Sequence, residues 1–208
     1  MTVGVSRPEA GALAYTPALM EADDTDEALM LRYAQGDAAA FDTLYGRHRG
    51  GVFRYLLRQL NSNRAATEEL FQDVWMNLIG ARGRYRVEAK FTTWLYTLAH
   101  NRVVDHYRRH RPLEVVSLDD DEDDDPPEVA APPSAQPERA AEARQQAARL
   151  LALVDALPPA QREAFLLHEE GGLSLEEIAA ATGSDREAVK SRLRYAMDKL
   201  RRGMGDLL

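Results

Sequence analysis

Near the end of the chain, Arg186, Glu187, Lys190, Ser191 and Arg194 share one side of a segment read at helical spacing. Val189, Leu193, Ala196 and Leu200 recur at i, i+4, i+7 and i+11 and form its apolar stripe. Long donors in the first half of such a helix suit base edges in a DNA major groove. The serine and the helix N-terminus suit phosphates. A second constellation lies in FTTWLYTLAHNRVVDHYRRHRP, where Trp94, Thr97, Asn101, Asp105 and Arg108 fall on one line. An indole, a hydroxyl, an amide and a guanidinium in a row suit stacking, base edges and phosphates. The loop before it carries Arg82, Arg84, Tyr85, Arg86 and Lys90, suited to single-stranded backbone and unstacked bases. The same pattern also fits ordinary core packing of Trp94 and Tyr85. His106 and His110 stand at i, i+4, a possible metal pair, but the neighbouring arginines repel a cation and no third ligand is evident. No metal or other cofactor is expected. No nucleophile–base pair, paired carboxylates or glycine-rich phosphate loop stands out, so the residues give catalysis no support.

These side chains need helices to position them, and the periodicity supplies helices only. No period-2 run or hairpin dipeptide breaks the pattern. Helices are expected at 26–35, 37–60 (with a weak point at Gly50-Gly51), 64–79, 91–109, 139–156 and 160–169. In the fourth of these, Phe91, Leu95, Leu98 and Ala99 must face a core. The segment LSLEEIAAATGSDREAVKSRLRYAMDKLRR adds two more helices around Gly183, a tight-turn residue. Ser174 with Glu177, and Ser184 with Glu187, read as capping boxes opening each of them. This is a helix-turn-helix pattern.

The chain has 208 residues, 45% of them hydrophobic and none of them cysteine. Disulfides, zinc-thiolate sites and cysteine nucleophiles are thereby excluded. No apolar run approaches a membrane span and no secretory leader is evident, so the expected location is the cytoplasm. The net charge of −8 is unevenly spread. Residues 26–112 carry +5, whereas 113–138 carry −10 and 139–208 are neutral. Within the last segment, residues 183–202 carry +4. Two basic surfaces flanking an acidic tract point to two nucleic-acid contacts. The tract, with SLDDDEDDDPPEVAAPPSAQP, reads as a disordered linker between two all-helical domains, 26–112 and 139–208. Its charge either keeps a solvated spacer extended or tracks a basic channel on a partner. Residues 1–25 read as a disordered extension, and Met20 is an alternative start.

The order of these motifs resembles the sigma-70 family of bacterial RNA polymerase initiation factors, in its small extracytoplasmic-function (ECF) subgroup. ATEELFQDVWMNLI (66–79) is similar to the helix that binds the clamp coiled coil of the polymerase largest subunit. KFTTWLYTLAHNRVVDHYRR (90–109) is similar to the promoter −10 reader, and residues 157–201 to the −35 reader. The resemblance implies a non-enzymatic factor that binds core polymerase, recognises both elements and promotes melting. It assigns core binding to Glu68, Glu69, Gln72 and Asp73, with Ala66 where the family often has another acid. It assigns capture of a flipped −10 base to the loop 83–90, including Arg84, Tyr85 and Lys90, and places Phe91, Trp94, Asn101 and Arg102 against the −10 element. Arg108 joins them from the helical line described above. The −35 set is Ser184, Arg186, Glu187, Lys190, Ser191, Arg192 and Arg194, and Arg192 is the weakest by helical geometry. Implied partners are the clamp, the flap of the second-largest subunit, promoter DNA and an anti-sigma factor acting in trans. The acidic linker would thread polymerase channels. Two other readings stay open on the residues alone. One is a helix-turn-helix regulator that binds duplex DNA without polymerase. The other is a helical metal enzyme built on His100, His106 and His110.

Overall fold

The structure, a computed structural model, describes residues 24–110 and 137–205. The N-terminal extension and nearly all of the acidic tract lie outside the described residues. Eight α-helices make up the described fold: α1 (Asp26–Ala34), α2 (Ala38–Gln59), α3 (Arg64–Ala81), α4 (Phe91–His110), α5 (Pro137–Asp155), α6 (Pro159–Glu169), α7 (Leu175–Thr182) and α8 (Arg186–Met204). A 3-10 turn, Arg82–Arg84, follows α3. Among the described residues there is no strand. Nor is any helix among them long and apolar enough to cross a membrane.

Local signals fix most helix starts. Thr25 accepts from Ala28 N–H, Asp37 from Ala39 and Ala40, and Asn63 from Ala66, each using a donor that has no partner within its helix. The helix α2 runs unbroken through Gly50-Gly51, where a weak point was expected. α4 is entered differently. Its first N–H, on Phe91, donates to Glu27 Oε1 at 2.7 Å, so a side chain of α1 caps it from 64 positions away.

The first four helices close around Leu44, Val52, Tyr55, Leu56, Val74 and Leu78, with Phe91, Leu95 and Ala99 inserted from α4. An edge-to-face aromatic group, Phe41, Tyr45, Phe71 and Trp75, joins α2 to α3. The last four helices bury Leu157, Leu167, Leu173, Ile178, Val189 and Ala196. α6 and α7 also pack against α2 and α4, so the two units share one continuous apolar core.

The helix-turn-helix forms as expected in outline. Ser174 Oγ accepts from Glu177 N–H while the Glu177 carboxylate accepts from Ser174 N–H, a complete capping box. Gly183 takes the left-handed conformation, φ 62°, that ends α7. The second expected box does not form. The residue that opens α8 is Asp185, whose carboxylate accepts from Glu187 and Ala188 N–H. Ser184 instead accepts from Arg192 Nη1 at 2.9 Å. Moving the cap one residue on puts Val189 at the end of the first turn, where it is buried.

Candidate nucleic-acid interface

The loop after α3 and the first turns of α4 enclose a cavity of about 410 Å³. Arg84, Tyr85, Glu88, Thr93, Trp94 and Thr97 contribute to its lining. Tyr85 is 5% exposed and its ring lies 5.0 Å from that of Trp94 and 6.4 Å from that of Phe91. Burial above all, then the Glu27 and Asp26 carboxylates, push its phenol up to about 12. It is therefore a neutral hydroxyl at any physiological pH. The Tyr85 hydroxyl and Thr93 Oγ1 are both buried without a hydrogen-bond partner. Two unpaired polar groups beside a cavity are costly unless something enters to pair with them.

Of the residues expected to read the −10 element, the structure gathers Arg84, Tyr85 and Trp94 at this cavity. Lys90, next in line, pairs with Glu177 of α7 at 3.1 Å. Phe91 is 0% exposed, and its ring has no face for DNA. It backs Trp94 at 6.0 Å and so corrects the expectation of a direct contact. Asn101 is exposed further along α4. Asp105 holds Arg102 at 2.9 Å and Arg108 at 3.0 Å, spreading two guanidinium groups along the helix. From Trp94 to Arg108 the line runs about 21 Å, at the rise of an α-helix. Sequence reasoning gave no role to Thr93, which falls between two recognised positions and on the buried side of α4.

On α8, Arg186, Glu187, Lys190 and Arg194 are exposed and Ser191 is half-buried. Arg186 bonds Glu176 of α7 and also Glu187, at 2.9 Å, and Lys190 lies 3.2 Å from Glu187. The Arg186 hydrogen bond, first of all, holds the Glu176 carboxyl below its ordinary value. Arg194 sits 5.0 Å from the centre of the Tyr195 ring. Arg192, half-buried, donates from Nη1 to Ser184 Oγ in the turn before α8.

On α3, Glu68, Glu69 and Gln72 are exposed and Asp73 is half-buried, opposite the buried Leu70, Val74 and Leu78. Arg64 pairs with Glu68 at 3.0 Å. Met76, 65% exposed, extends this face by one turn. It was legible as the i+4 neighbour of Gln72 but sits among apolar residues that masked it. The imidazoles of His106 and His110 lie 4.2 Å apart. Among the described residues no group of three or more His, Asp or Glu could hold a metal ion.

A four-helix unit with a basic aromatic cavity, joined in sequence to a helix-turn-helix, defines a two-site promoter-binding class of protein. Residues 44–112 match the family described as Sigma-70 region 2, and residues 147–200 match Sigma-70, region 4. The RNA polymerase sigma factor CarQ of Myxococcus xanthus is 33% identical over 178 residues, covering 86% of this chain and 97% of CarQ. The ECF RNA polymerase sigma factor RpoE of Cereibacter sphaeroides is 30% identical over 187 residues, covering 88% and 98%. The same fold occurs in CnrH, solved with the cytosolic domain of CnrY (TM-score 0.59, 23% identity, 86% of this chain and 96% of that one). It also occurs in the sigma factor RpoE of Bartonella quintana, solved with the anti-sigma factor NepR (TM-score 0.58, 19% identity, 79% and 96%). The chain belongs to the ECF subfamily of the sigma-70 family. It is a sigma factor that binds core RNA polymerase and recognises promoters.

Proposed function

We propose that this sigma factor opens promoters by capturing one unstacked −10 base in the cavity beside Trp94, while α8 enters the −35 major groove. The two buried hydroxyls without partners, Tyr85 and Thr93, carry this reading. A base edge entering the cavity satisfies them, the indole offers a stacking face, and Arg84 stands by for a phosphate. The contacts offset the cost of unstacking and favour the melted state. Asn101, Arg102 and Arg108 follow the strand along α4, and Lys190 and Arg194 read −35 bases with Arg186 on a base edge or phosphate. The acidic face of α3 docks on the clamp, and the second unit on the flap of the second-largest subunit. Charge complementarity supports the clamp contact, since this face is acidic on a unit that is otherwise basic.

The factor acts by binding and catalyses no reaction itself. It works in the cytoplasm, where polymerase meets the chromosome. Residues 26–112 and 139–208 are its two working domains, joined by the acidic tract 113–138, which threads the polymerase. An anti-sigma factor controls it in trans, as the NepR complex of the Bartonella relative suggests.

The test is permanganate footprinting of promoter DNA with the reconstituted holoenzyme. Trp94→Ala is expected to abolish the reactive thymines of the −10 region while leaving holoenzyme assembly and −35 protection intact. Normal reactivity in that variant refutes base capture at the cavity.

A further inference from the structure

The loop that borders the cavity is held at both ends by one helix. Where it leaves α3, the Arg82 guanidinium lies 5.5 Å from the centre of the Tyr33 ring, a cation–π contact. Where it enters α4, the Phe91 N–H donates to Glu27 Oε1 at 2.7 Å. Tyr33 and Glu27 stand near the two ends of α1. Arg82, which the sequence places among the nucleic-acid contacts of the loop, is thus engaged by α1.

The loop depends on such outside support. Its backbone closes on itself through Tyr85 N–H to the Arg82 carbonyl at 3.4 Å and Glu88 N–H to the Arg86 carbonyl at 3.0 Å, each within a short turn. Lys90, the residue before α4, has a side chain that only donates and cannot cap the helix. The first N–H of α4 has no acceptor within its own helix, and a carboxylate there also meets the positive end of the helix dipole. α1 is itself fixed. Asp26 Oδ2 lies 2.7 Å from His48 Nε2, and Asp26 Oδ1 accepts from Arg47 Nη1 at 2.8 Å, so α2 holds the first turn of α1. Leu29 and Met30 are buried, and the Tyr33 ring lies 4.9 Å from that of Phe41 on α2. Arg84 and Tyr85 stand between the two anchors, and Trp94 follows in the first turn of α4. Among the described residues no side chain of α1 lines the cavity, so Tyr33 and Glu27 act on it through the loop.

We infer that α1 sets the shape of the base cavity: Tyr33 and Glu27 hold the two ends of the loop 82–91 and so fix Tyr85 against Trp94 before DNA arrives. They are positioning residues. A loop already in its binding shape loses little further freedom when a base enters, so the benefit falls on strand opening rather than on the first encounter with the promoter. The inference rests on the reading of the cavity as the −10 site, and the experiment separates the two.

The chain has two tryptophans, so Trp75→Phe leaves Trp94 as the single indole reporter in the full-length free factor. In that background Glu27→Ala and Tyr33→Leu are each expected to raise acrylamide quenching of Trp94 fluorescence. In holoenzyme that retains Trp75, abortive-initiation kinetics separate promoter binding from the opening rate. The opening rate is expected to fall roughly tenfold in Glu27→Ala, which loses a charge-assisted hydrogen bond, and roughly threefold in Tyr33→Leu. Closed-complex affinity and −35 protection are expected to stay as in the wild type, which a folding defect would not allow. Glu27→Gln keeps an oxygen acceptor for the Phe91 N–H and is expected to keep wild-type quenching and opening. Unchanged quenching in both Glu27→Ala and Tyr33→Leu overturns the inference. Glu27→Gln behaving as Glu27→Ala overturns the capping role, and an equal loss of closed-complex affinity and opening overturns positioning. Raised quenching with normal opening upholds the hold of α1 on the loop and refutes the cavity as the −10 site.

Discussion

A buried hydroxyl without a partner is a liability to the fold and an asset to a binding site. At Tyr85 both sides can be measured. Tyr85→Phe removes an unpaired buried oxygen and is expected to raise stability by about 1 kcal/mol in urea unfolding, while reducing promoter opening by the holoenzyme. If both quantities fall, the hydroxyl has a partner in the folded chain. The Tyr85 phenol, pushed up to about 12, also sets an alkaline limit. Burial raises the Tyr55 and Tyr96 phenols as well. In each case the folded-state value lies above the unfolded one. The stability these groups contribute is therefore intact below pH 10, the ordinary tyrosine value, and declines as pH climbs through the folded values. Absorbance at 295 nm with circular dichroism is expected to show these tyrosinates appearing only as the helices melt. The basic residues of α8 separate in the same way. Lys190→Ala or Arg194→Ala is expected to lose about 1–3 kcal/mol at particular −35 bases. Arg192→Ala, which frees Ser184, is expected to weaken all −35 sequences alike. Binding of the holoenzyme to a panel of single-base −35 variants distinguishes a reader from a support.

At the scale of elements, caps decide where helices begin. Asp185→Ala is expected to cost about 1 kcal/mol and Ser184→Ala less at this site, a difference that chemical denaturation resolves. The Ser174 N–H bond, first of all, holds the Glu177 carboxyl below its ordinary value of 4.5. Its folded-state value is depressed, so the stability it lends is present above 4.5 and is lost as pH falls through the folded value. Most helices were legible because apolar residues recur with the period of an α-helix over long stretches. Adjacent caps were harder. Ser184 and Asp185 are both good caps, and in the structure Asp185 takes the cap while Ser184 accepts from Arg192. The start of α4 had no local signal at all, since Glu27 reaches it from α1. The cavity was half legible. Aromatic residues among arginines suggested either a base site or a core, and the structure buries Phe91 and Tyr85 behind a half-buried Trp94 that lines the cavity. The contacts between the two units were not legible, because each of them joins residues far apart in sequence.

On the scale of the whole molecule, charge joins the two units, and salt should therefore part them. The screening length falls from about 10 Å at 0.1 M to about 3 Å at 1 M ionic strength. Exposed pairs such as Arg54–Glu170 and Lys90–Glu177 weaken first. Small-angle scattering is expected to show the radius of gyration rising with sodium chloride in the wild-type chain. A smaller change is expected in Arg54→Glu, which already lacks this ion pair. Equal profiles for the two chains mean that apolar contact alone holds the units together. Gly51 gives the same equilibrium a different handle. Alanine there favours the helix yet collides with Tyr96 and Glu170. The residue touches none of the proposed promoter or polymerase contacts, so a methyl group at this position is expected to disturb the packing of the two units and leave the choice of promoters as it was. The firmness with which the units pack and the promoters they choose are thus separately adjustable, and a single codon in the middle of α2 can move the first without disturbing the second.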